Sequence, residues 1–190
     1  MAKTYGPTNL AIYAYGSLLS DPGEKIAPHI VGRIPQPSPW PIEYARRAKL
    51  RGDGSTLVLH KSGAVVRGQL LVLDIEQSGL AQLTEWLWER EGRPPRELLK
   101  QMAFADFERV HYCDLEATLG DKEINAESLT EFAIASVSIS PARNAIQYLA
   151  QSIAQGIVTP LTYAYRDAIL RRTGARDLAQ AEELLLASVR

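Results

Sequence analysis

Residues 11–19, AIYAYGSLL, guide the interpretation of the whole chain, because a short apolar, β-prone run ends there directly in a glycine. The run at 10–15 predicts a strand. Gly16 has no Cβ, so ligand atoms can approach the main chain closely where that strand ends. The N–H groups of Gly16, Ser17 and Leu18 can then point together at an anionic or carbonyl oxygen. A turn with a purely structural role is the other interpretation of the same residues.

The segments that follow predict a strand-rich first half. Residues 56–60 and 65–74 are rich in valine and leucine and lie beside glycine-containing turns, which favours strands. The segment 35–41 has prolines at four positions that have no N–H to donate to a sheet, which predicts a loop or a sheet edge. Residues 108–119 and 131–139 also look strand-like.

Helices are predicted between and after these strands. Leu80, Leu83 and Leu87 recur at helical spacing, and Gly92 is placed as a left-handed cap with two prolines behind it. A short helix is predicted at 97–105. Start and stop residues mark three further helices: Ser140-Pro141 to Gly156, Thr159-Pro160 to Gly174, and one capped by Asp177. Strands early and helices late predict an α+β domain around one mixed or antiparallel sheet, open or closed as a small barrel.

Length, charge and cysteine content restrict the class of protein. The 190 residues fit one domain, 1–190, that buries a core without metals or disulfides. The formal charge is −1, and the basic clusters at 46–51 and 171–176 are interpreted as solvated faces, so no nucleic-acid partner is expected. Cys113 is the only cysteine, and no apolar run suits a signal peptide or a membrane span, so we expect a cytoplasmic protein. The three histidines are scattered and predict no metal site.

One carboxylate lies where a helix rarely has one. Glu91 follows Leu87 at four-residue spacing, so it extends the apolar stripe of the predicted helix into its last turn. Burial and the helix dipole both disfavour a negative charge there, and such departures from local rules tend to mark functional sites. Glu91 is therefore a candidate general acid/base. The alternative is a frayed helix end with the carboxylate in solvent, paired with Arg90, Arg93 or Arg96.

These motifs resemble the gamma-glutamylcyclotransferase-like family over residues 12–169. Residues 13–19 are similar to the family's Tyr-Gly-Ser loop after its first strand, and Glu91-Gly92 is similar to its Glu-Gly pair. The residues that resemble its C-terminal signature are Ser140-Pro141, Tyr148, Gly156-Ile157, 160–163 and Tyr165. The resemblance implies an α+β fold, a small mixed β-barrel or sheet with flanking helices.

The resemblance also implies an activity. Members of the family cleave gamma-glutamyl amides by attack of the substrate's α-amine on its own γ-carbonyl, which releases 5-oxoproline and an amino acid or amine without a metal or cofactor. Glu91 would be the catalytic acid/base. The substrate-binding residues would be Tyr15, Gly16, Ser17, Leu18 and Tyr163. The implied partner is a small gamma-glutamyl compound, with no nucleic acid and no membrane involved.

Two other functions stay open. Leu18 stands where many members have asparagine, and no tyrosine follows Glu91-Gly92 closely. These departures favour a non-catalytic module that binds a small metabolite or a partner on the same fold. Ser17 as a nucleophile would make the protein a hydrolase, although the chain has no Gly-x-Ser-x-Gly turn there and no histidine placed as its base.

Overall fold

The computed structural model describes residues 10–75 and 77–189 of an α+β protein. Its strands are β1 (Leu10–Ala14), β2 (Ile30–Pro37), β3 (Ile42–Ala48), β4 (Gly54–Leu59), β5 (Arg67–Leu73), β6 (Leu99–Phe104) and β7 (Phe107–Cys113). Its helices are α1 (Ser17–Ser20), α2 (Leu80–Arg90), α3 (Ala126–Ile139), α4 (Ala145–Ala154), α5 (Thr162–Thr173) and α6 (Leu178–Val189).

The chain divides into two compact units. The first unit comprises the chain up to Pro37 together with Arg67–Leu115. The second comprises Ser38–Val66 and the chain from Glu116 onward. The assignment of residues 1–190 to a single domain stays a prediction.

The first unit contains a mixed five-stranded sheet in the order β2-β5-β1-β7-β6. β1 pairs antiparallel with β5 and parallel with β7. A closed barrel would need pairing between β2 and β6. Within the described residues these two strands are the edges of an open sheet, so the closed-barrel form of the prediction is wrong. The predicted sheet edge is confirmed for Pro35 and Pro37, which lie in β2.

The core of the first unit lies between this sheet and α2. The apolar strand β1 is buried along its whole length. Its residues Leu10 and Ile12 share one hydrophobic cluster with Leu83 and Leu87 of α2. Each such side chain contributes about 1.5–3 kcal/mol when it is fully buried. This shared core positions the loop after β1 and the C-terminal end of α2 within one unit.

The second unit combines a two-stranded antiparallel sheet, β3–β4, with helices α3 to α6. The hairpin turns through Gly52 and Asp53, which have φ of +62° and +60°. Gly54 allows close packing at the start of β4, because an added Cβ there would lie 2.4 Å from the Cβ of Ala145 in α4. The hairpin therefore lies directly against the helices.

Two segments have a different secondary structure from the expected one, and the strand predicted at 108–119 ends at Cys113. Residues 97–105 fall in a 3-10 turn and in β6, so the predicted short helix is wrong. Pairing with β7 overrides the local helix propensity. Residues 131–139 lie in α3, so the predicted strand is also wrong. Asn125 begins that helix by accepting hydrogen bonds from the N–H groups of Glu127 (3.1 Å) and Ser128 (3.0 Å).

For the C-terminal helices, the positions of the C-terminal ends are predicted better from the sequence than the positions of the starts. α4 begins after Asn144, which forms a capping box, rather than at Ser140. Gly156 (φ +72°) and Gly174 (φ +69°) follow α4 and α5 in the left-handed conformation, as predicted. The carboxylate of Asp177 accepts a hydrogen bond at 2.8 Å from an N–H in the first turn of α6, which confirms its capping role.

Candidate functional site

The C-terminal end of α2 has the left-handed cap that its sequence predicts. The N–H of Gly92 donates to the carbonyl of Glu89 (3.1 Å), and the N–H of Arg93 donates to the carbonyl of Trp88 (2.9 Å). These two bonds form a Schellman motif, with Gly92 at a φ of +82°. Glu91 is the last residue before this turn, and its position is fixed by the bond from its N–H to the carbonyl of Leu87 (3.0 Å).

The side chain of Glu91 continues the buried stripe of α2. Leu83 and Leu87 are 0% and 1% exposed, and the Glu91 side chain is 13% exposed. Its Oε1 accepts a hydrogen bond of 2.7 Å from Nη1 of Arg90. The two sequence-based alternatives are therefore each partly right, since the carboxylate is sheltered and is also paired with an arginine.

The loop after β1 takes the sharp turn that a glycine allows. Gly16 has φ +58° and ψ −137°, a conformation that side-chain-bearing residues rarely adopt. The short helix α1 follows, with the N–H of Leu19 donating to the carbonyl of Gly16 (3.2 Å) and that of Asp21 to Ser17 (2.9 Å). The first N–H groups of a helix have no acceptor within the helix. The N–H groups of Ser17 and Leu18 belong to this first turn of α1.

Arg90 joins this loop to Glu91. Besides its bond to Glu91, its Nη2 donates to the Ser17 hydroxyl (3.1 Å) and to the carbonyl of Asp21 (2.7 Å). Its Nε donates to the same Asp21 carbonyl at 3.0 Å. The Arg90 side chain is 15% exposed, so these bonds are largely removed from water. One guanidinium therefore bridges the candidate acid/base and the Tyr-Gly-Ser loop.

The other predicted substrate-binding residues differ in their surroundings. Tyr15 is half-buried, with its ring centroid 6.2 Å from that of Tyr13. The Leu18 side chain belongs to the hydrophobic cluster of the first unit, so only its main chain is suited to a ligand. Tyr163 lies in the second unit, 46% exposed, with the Arg166 guanidinium 5.0 Å from its ring centroid. Its role in substrate binding stays a prediction.

Sequence reasoning missed how Arg90 is used. The sequence predicts Arg90 only as one of three arginines that could pair with a solvent-exposed Glu91. A basic residue in the last turn of a helix is favoured by the helix dipole, and its place directly before the candidate acid is a signal that the sequence does contain. The contact with Asp21 has no such local signal.

A second carboxyl, Glu43, is buried in the second unit and was also missed. It is 0% exposed on β3. Its Oε1 accepts from the Thr159 hydroxyl (2.6 Å) and from the N–H of Tyr44 (2.9 Å). Oε2 has no hydrogen-bond partner among the described residues. Removal from water raises the pKa of Glu43, and these hydrogen bonds oppose that shift only in part.

His111 is a buried titratable group of the first unit. It is 3% exposed on β7, and burial, with a smaller effect of the Arg109 charge, lowers its pKa to about 4. It is therefore neutral at physiological pH. Among the described residues, its Nε2 has no hydrogen-bond partner.

Comparison with known proteins identifies no relative of this chain. No family model matches the chain, and neither a curated protein nor a solved structure matches it. Within residues 10–75 and 77–189, no three His, Cys, Asp or Glu side chains are grouped so that they would hold a metal ion. No helix in the described part of the chain has both the length and the apolar character needed to cross a membrane.

Proposed function

We propose that this protein is a gamma-glutamylcyclotransferase-type enzyme that cleaves a gamma-glutamyl amide and releases 5-oxoproline. The observation that carries the proposal is the link between Glu91 and Ser17 through Arg90. It brings a sheltered carboxylate and the Tyr-Gly-Ser loop, two of the three motifs on which the family resemblance rests, to the same guanidinium. The motifs are far apart in the sequence, so their meeting supports a shared role.

The proposed reaction is an internal acyl transfer. The α-amine of the gamma-glutamyl group attacks its γ-carbonyl carbon, a five-membered ring forms, and the bond to the leaving amine breaks. A free α-amine has a pKa of about 8, so most of it carries an extra proton at neutral pH. Glu91 accepts that proton and returns it to the leaving nitrogen, and the second proton that the amine loses on ring closure follows the same route, so the leaving amine departs as its ammonium ion. No atom is gained or lost in the overall rearrangement.

The loop after β1 supplies the complementary part of the site. The main-chain N–H groups of Ser17 and Leu18 are donors for the carbonyl oxygen as it gains negative charge. Because nucleophile and carbonyl belong to one substrate molecule, the main task of the protein is to hold them in a reactive geometry. This assignment uses the main chain of Leu18, so it does not need the asparagine side chain that many family members have there.

A non-catalytic binding module is the second candidate. The observation that favours it is the bond from Arg90 to Glu91, because a carboxylate held by an arginine is also a common structural arrangement. In that case the site would bind a small metabolite without converting it.

The experiment that separates these candidates is incubation of the pure protein with a panel of gamma-glutamyl amino acids, peptides and amines, glutathione included. Free 5-oxoproline is measured by mass spectrometry. The enzyme proposal expects 5-oxoproline from at least one compound in amounts that exceed the protein by many turnovers. A compound that binds, as measured by calorimetry, but yields no product would support the binding module. No release across the whole panel contradicts the enzyme.

A further inference from the structure

Arg90 is the residue through which Glu91 and the loop after β1 are joined. We propose that Arg90 is a positioning residue, whose guanidinium fixes the direction of the Glu91 carboxylate relative to the loop after β1 through its bonds to Ser17 and Asp21. This inference rests on the proposed function, since it assigns Arg90 a role in that reaction. Arg90 acts through Glu91 and does not contact the reacting atoms.

The geometry of the guanidinium carries the inference. Three of its nitrogen positions are used: Nη1 for Glu91, Nη2 for Ser17 and Asp21, and Nε for Asp21 again. A guanidinium is planar and its N–H directions are fixed, so bonds on one side determine where the other side points. Lysine offers a single nitrogen and reproduces the charge but not this fork.

The carboxylate is engaged in a way that suits proton transfer. The bond from Arg90 reaches Oε1 of Glu91. For Oε2, no hydrogen bond to another described residue is present. One oxygen is thus held by the guanidinium, and the second oxygen is the one to which we assign the proton from the substrate.

Arg90 itself has little room to move. An added Cβ at Gly23 would lie only 3.0 Å from Cγ of Arg90, so the segment 21–23 packs directly on the aliphatic stem. Gly23 has a φ of +89°, which favours glycine at this position. The stem is therefore held by packing and the head by the carbonyl of Asp21. A group held on both sides is preorganised to orient its neighbour.

One consequence for the reaction follows. Without the guanidinium fork, the Glu91 side chain samples other rotamers, and a displacement of about 1 Å in an active site costs about 10²-fold in rate. A lysine at position 90 keeps the positive charge but loses the fork, so it separates the contribution of the fork from that of the charge.

The experiment compares Arg90→Gln and Arg90→Lys with a matched control, Arg33→Gln. Arg33 donates from its Nη1 to the carbonyl of Leu19 in the same helix α1 (2.8 Å), so its loss also perturbs that helix, without touching Glu91. The readouts are kcat and KM for 5-oxoproline release, and folding by circular dichroism. Added guanidinium ion at millimolar concentration tests rescue of Arg90→Gln.

We expect Arg90→Gln to lower kcat about 10²-fold with a smaller change in KM, and to recover in part with guanidinium ion. Arg90→Lys should lose most of the same kcat. Arg33→Gln should keep the kcat of the wild type. Because Arg90→Lys keeps the charge, it serves as the decisive variant if Arg90→Gln does not fold.

Three outcomes overturn the inference, and they are distinguishable from one another. If the wild type is active and Arg90→Lys keeps its kcat, Arg90 has no positioning role while the proposed function stands. If the Arg90 variants and Arg33→Gln lose kcat alike and guanidinium ion restores none of it, Arg90 acts only in folding. If the wild type releases no 5-oxoproline across the panel, the proposed function fails and the role of Arg90 fails with it.

Discussion

Glu91 in the first unit and Glu43 in the second are two glutamates withdrawn from water in different ways. Glu91 keeps 13% of its side chain exposed and receives a charged hydrogen bond from Arg90. Glu43 is wholly buried, and its hydrogen bonds to side chains and main chain in the described residues come from neutral donors. A neighbouring cation stabilises an ionised carboxylate, whereas burial without one stabilises the neutral carboxyl.

The difference favours Glu91 over Glu43 as the acid/base of the proposed reaction. A general base must be ionised and must reach the substrate's proton. Glu91 has Arg90 beside it and keeps part of its side chain exposed, while Glu43 is 0% exposed and has no ion pair with a described residue. Burial alone is therefore a poor guide to a functional carboxyl. The nature of the partner and the remaining exposure decide it.

The largest effect is expected for Glu91→Gln. This change keeps the size of the side chain but removes the proton acceptor, so the rate of 5-oxoproline release should fall about 10²–10⁴-fold with normal folding. Glu89→Gln is the matched control on the same helix end, where the pairs with Lys25 and Arg93 are at the surface. A surface pair is worth about 0–1 kcal/mol, so this variant should stay within about fivefold of the wild type. Equal rates for both variants would remove Glu91 from the reaction.

The features that the sequence did predict rest on local signals. The strand before Gly16, the helix around Leu83 and Leu87, and the left-handed cap at Gly92 each follow from periodicity or from a special residue within a few positions. The continuation of the buried stripe to Glu91 follows from the same helical geometry. These features could be predicted because each is decided within one element.

The features that it did not predict depend on residues far along the chain. Glu43 is buried because Thr159, 116 positions away, supplies a hydrogen bond to it, and a glutamate before Tyr44 gives no local sign of burial. The choice of Arg90 over its neighbouring arginines depends on the carbonyl of Asp21, 69 positions away. The strand β6 forms because β7 pairs with it, against the helix propensity of its own residues. These features are determined by tertiary packing rather than by local sequence.

A second prediction concerns acid stability and His111 of the first unit. Its pKa is lowered from 6.5 to about 4, so between these two pH values His111 is protonated in the unfolded chain but neutral in the folded protein. The contribution of the neutral His111 to the free energy of unfolding is therefore fully present above about pH 6.5. It falls as the pH drops toward 4, by at most about 3 kcal/mol. Urea unfolding of the wild type and of His111→Gln from pH 4 to 7 measures this. The unfolding free energy of the variant should depend less steeply on pH than that of the wild type. An equal dependence on pH would contradict the lowered pKa of His111.

Glu43 should give a pH dependence of the opposite sign. Its pKa is raised in the folded state, so the folded state holds a proton that the unfolded chain releases above its ordinary pKa of 4.5. Its contribution to stability is complete below that value and is lost as the pH rises through the folded pKa. The loss is about 1.4 kcal/mol for every tenfold difference between the folded and unfolded acid dissociation constants.

Glu43→Gln tests this by removing the ionisation while keeping the shape. Urea unfolding midpoints between pH 4.5 and 9 should decline less in the variant than in the wild type. Glu131→Gln, at an exposed position of α3 in the same unit, is the control and should keep the wild-type decline. If Glu43→Gln declines as the wild type does, Glu43 is ionised in the folded protein, and the contrast with Glu91 disappears.

The smallest effect is expected for Ser17→Ala, which separates the main chain of the loop from its hydroxyl. The variant loses one hydrogen bond to Arg90, worth about 0.5–1.5 kcal/mol, so 5-oxoproline release should fall by about two- to tenfold. The N–H groups of Ser17 and Leu18 stay in place, and Arg90 keeps both bonds to Asp21. If Ser17 were instead the nucleophile of a hydrolase, the same variant would lose nearly all activity and the product of the wild type would be free glutamate rather than 5-oxoproline. The identity of the product and the size of the loss therefore decide together whether this loop acts through its main chain or through its hydroxyl.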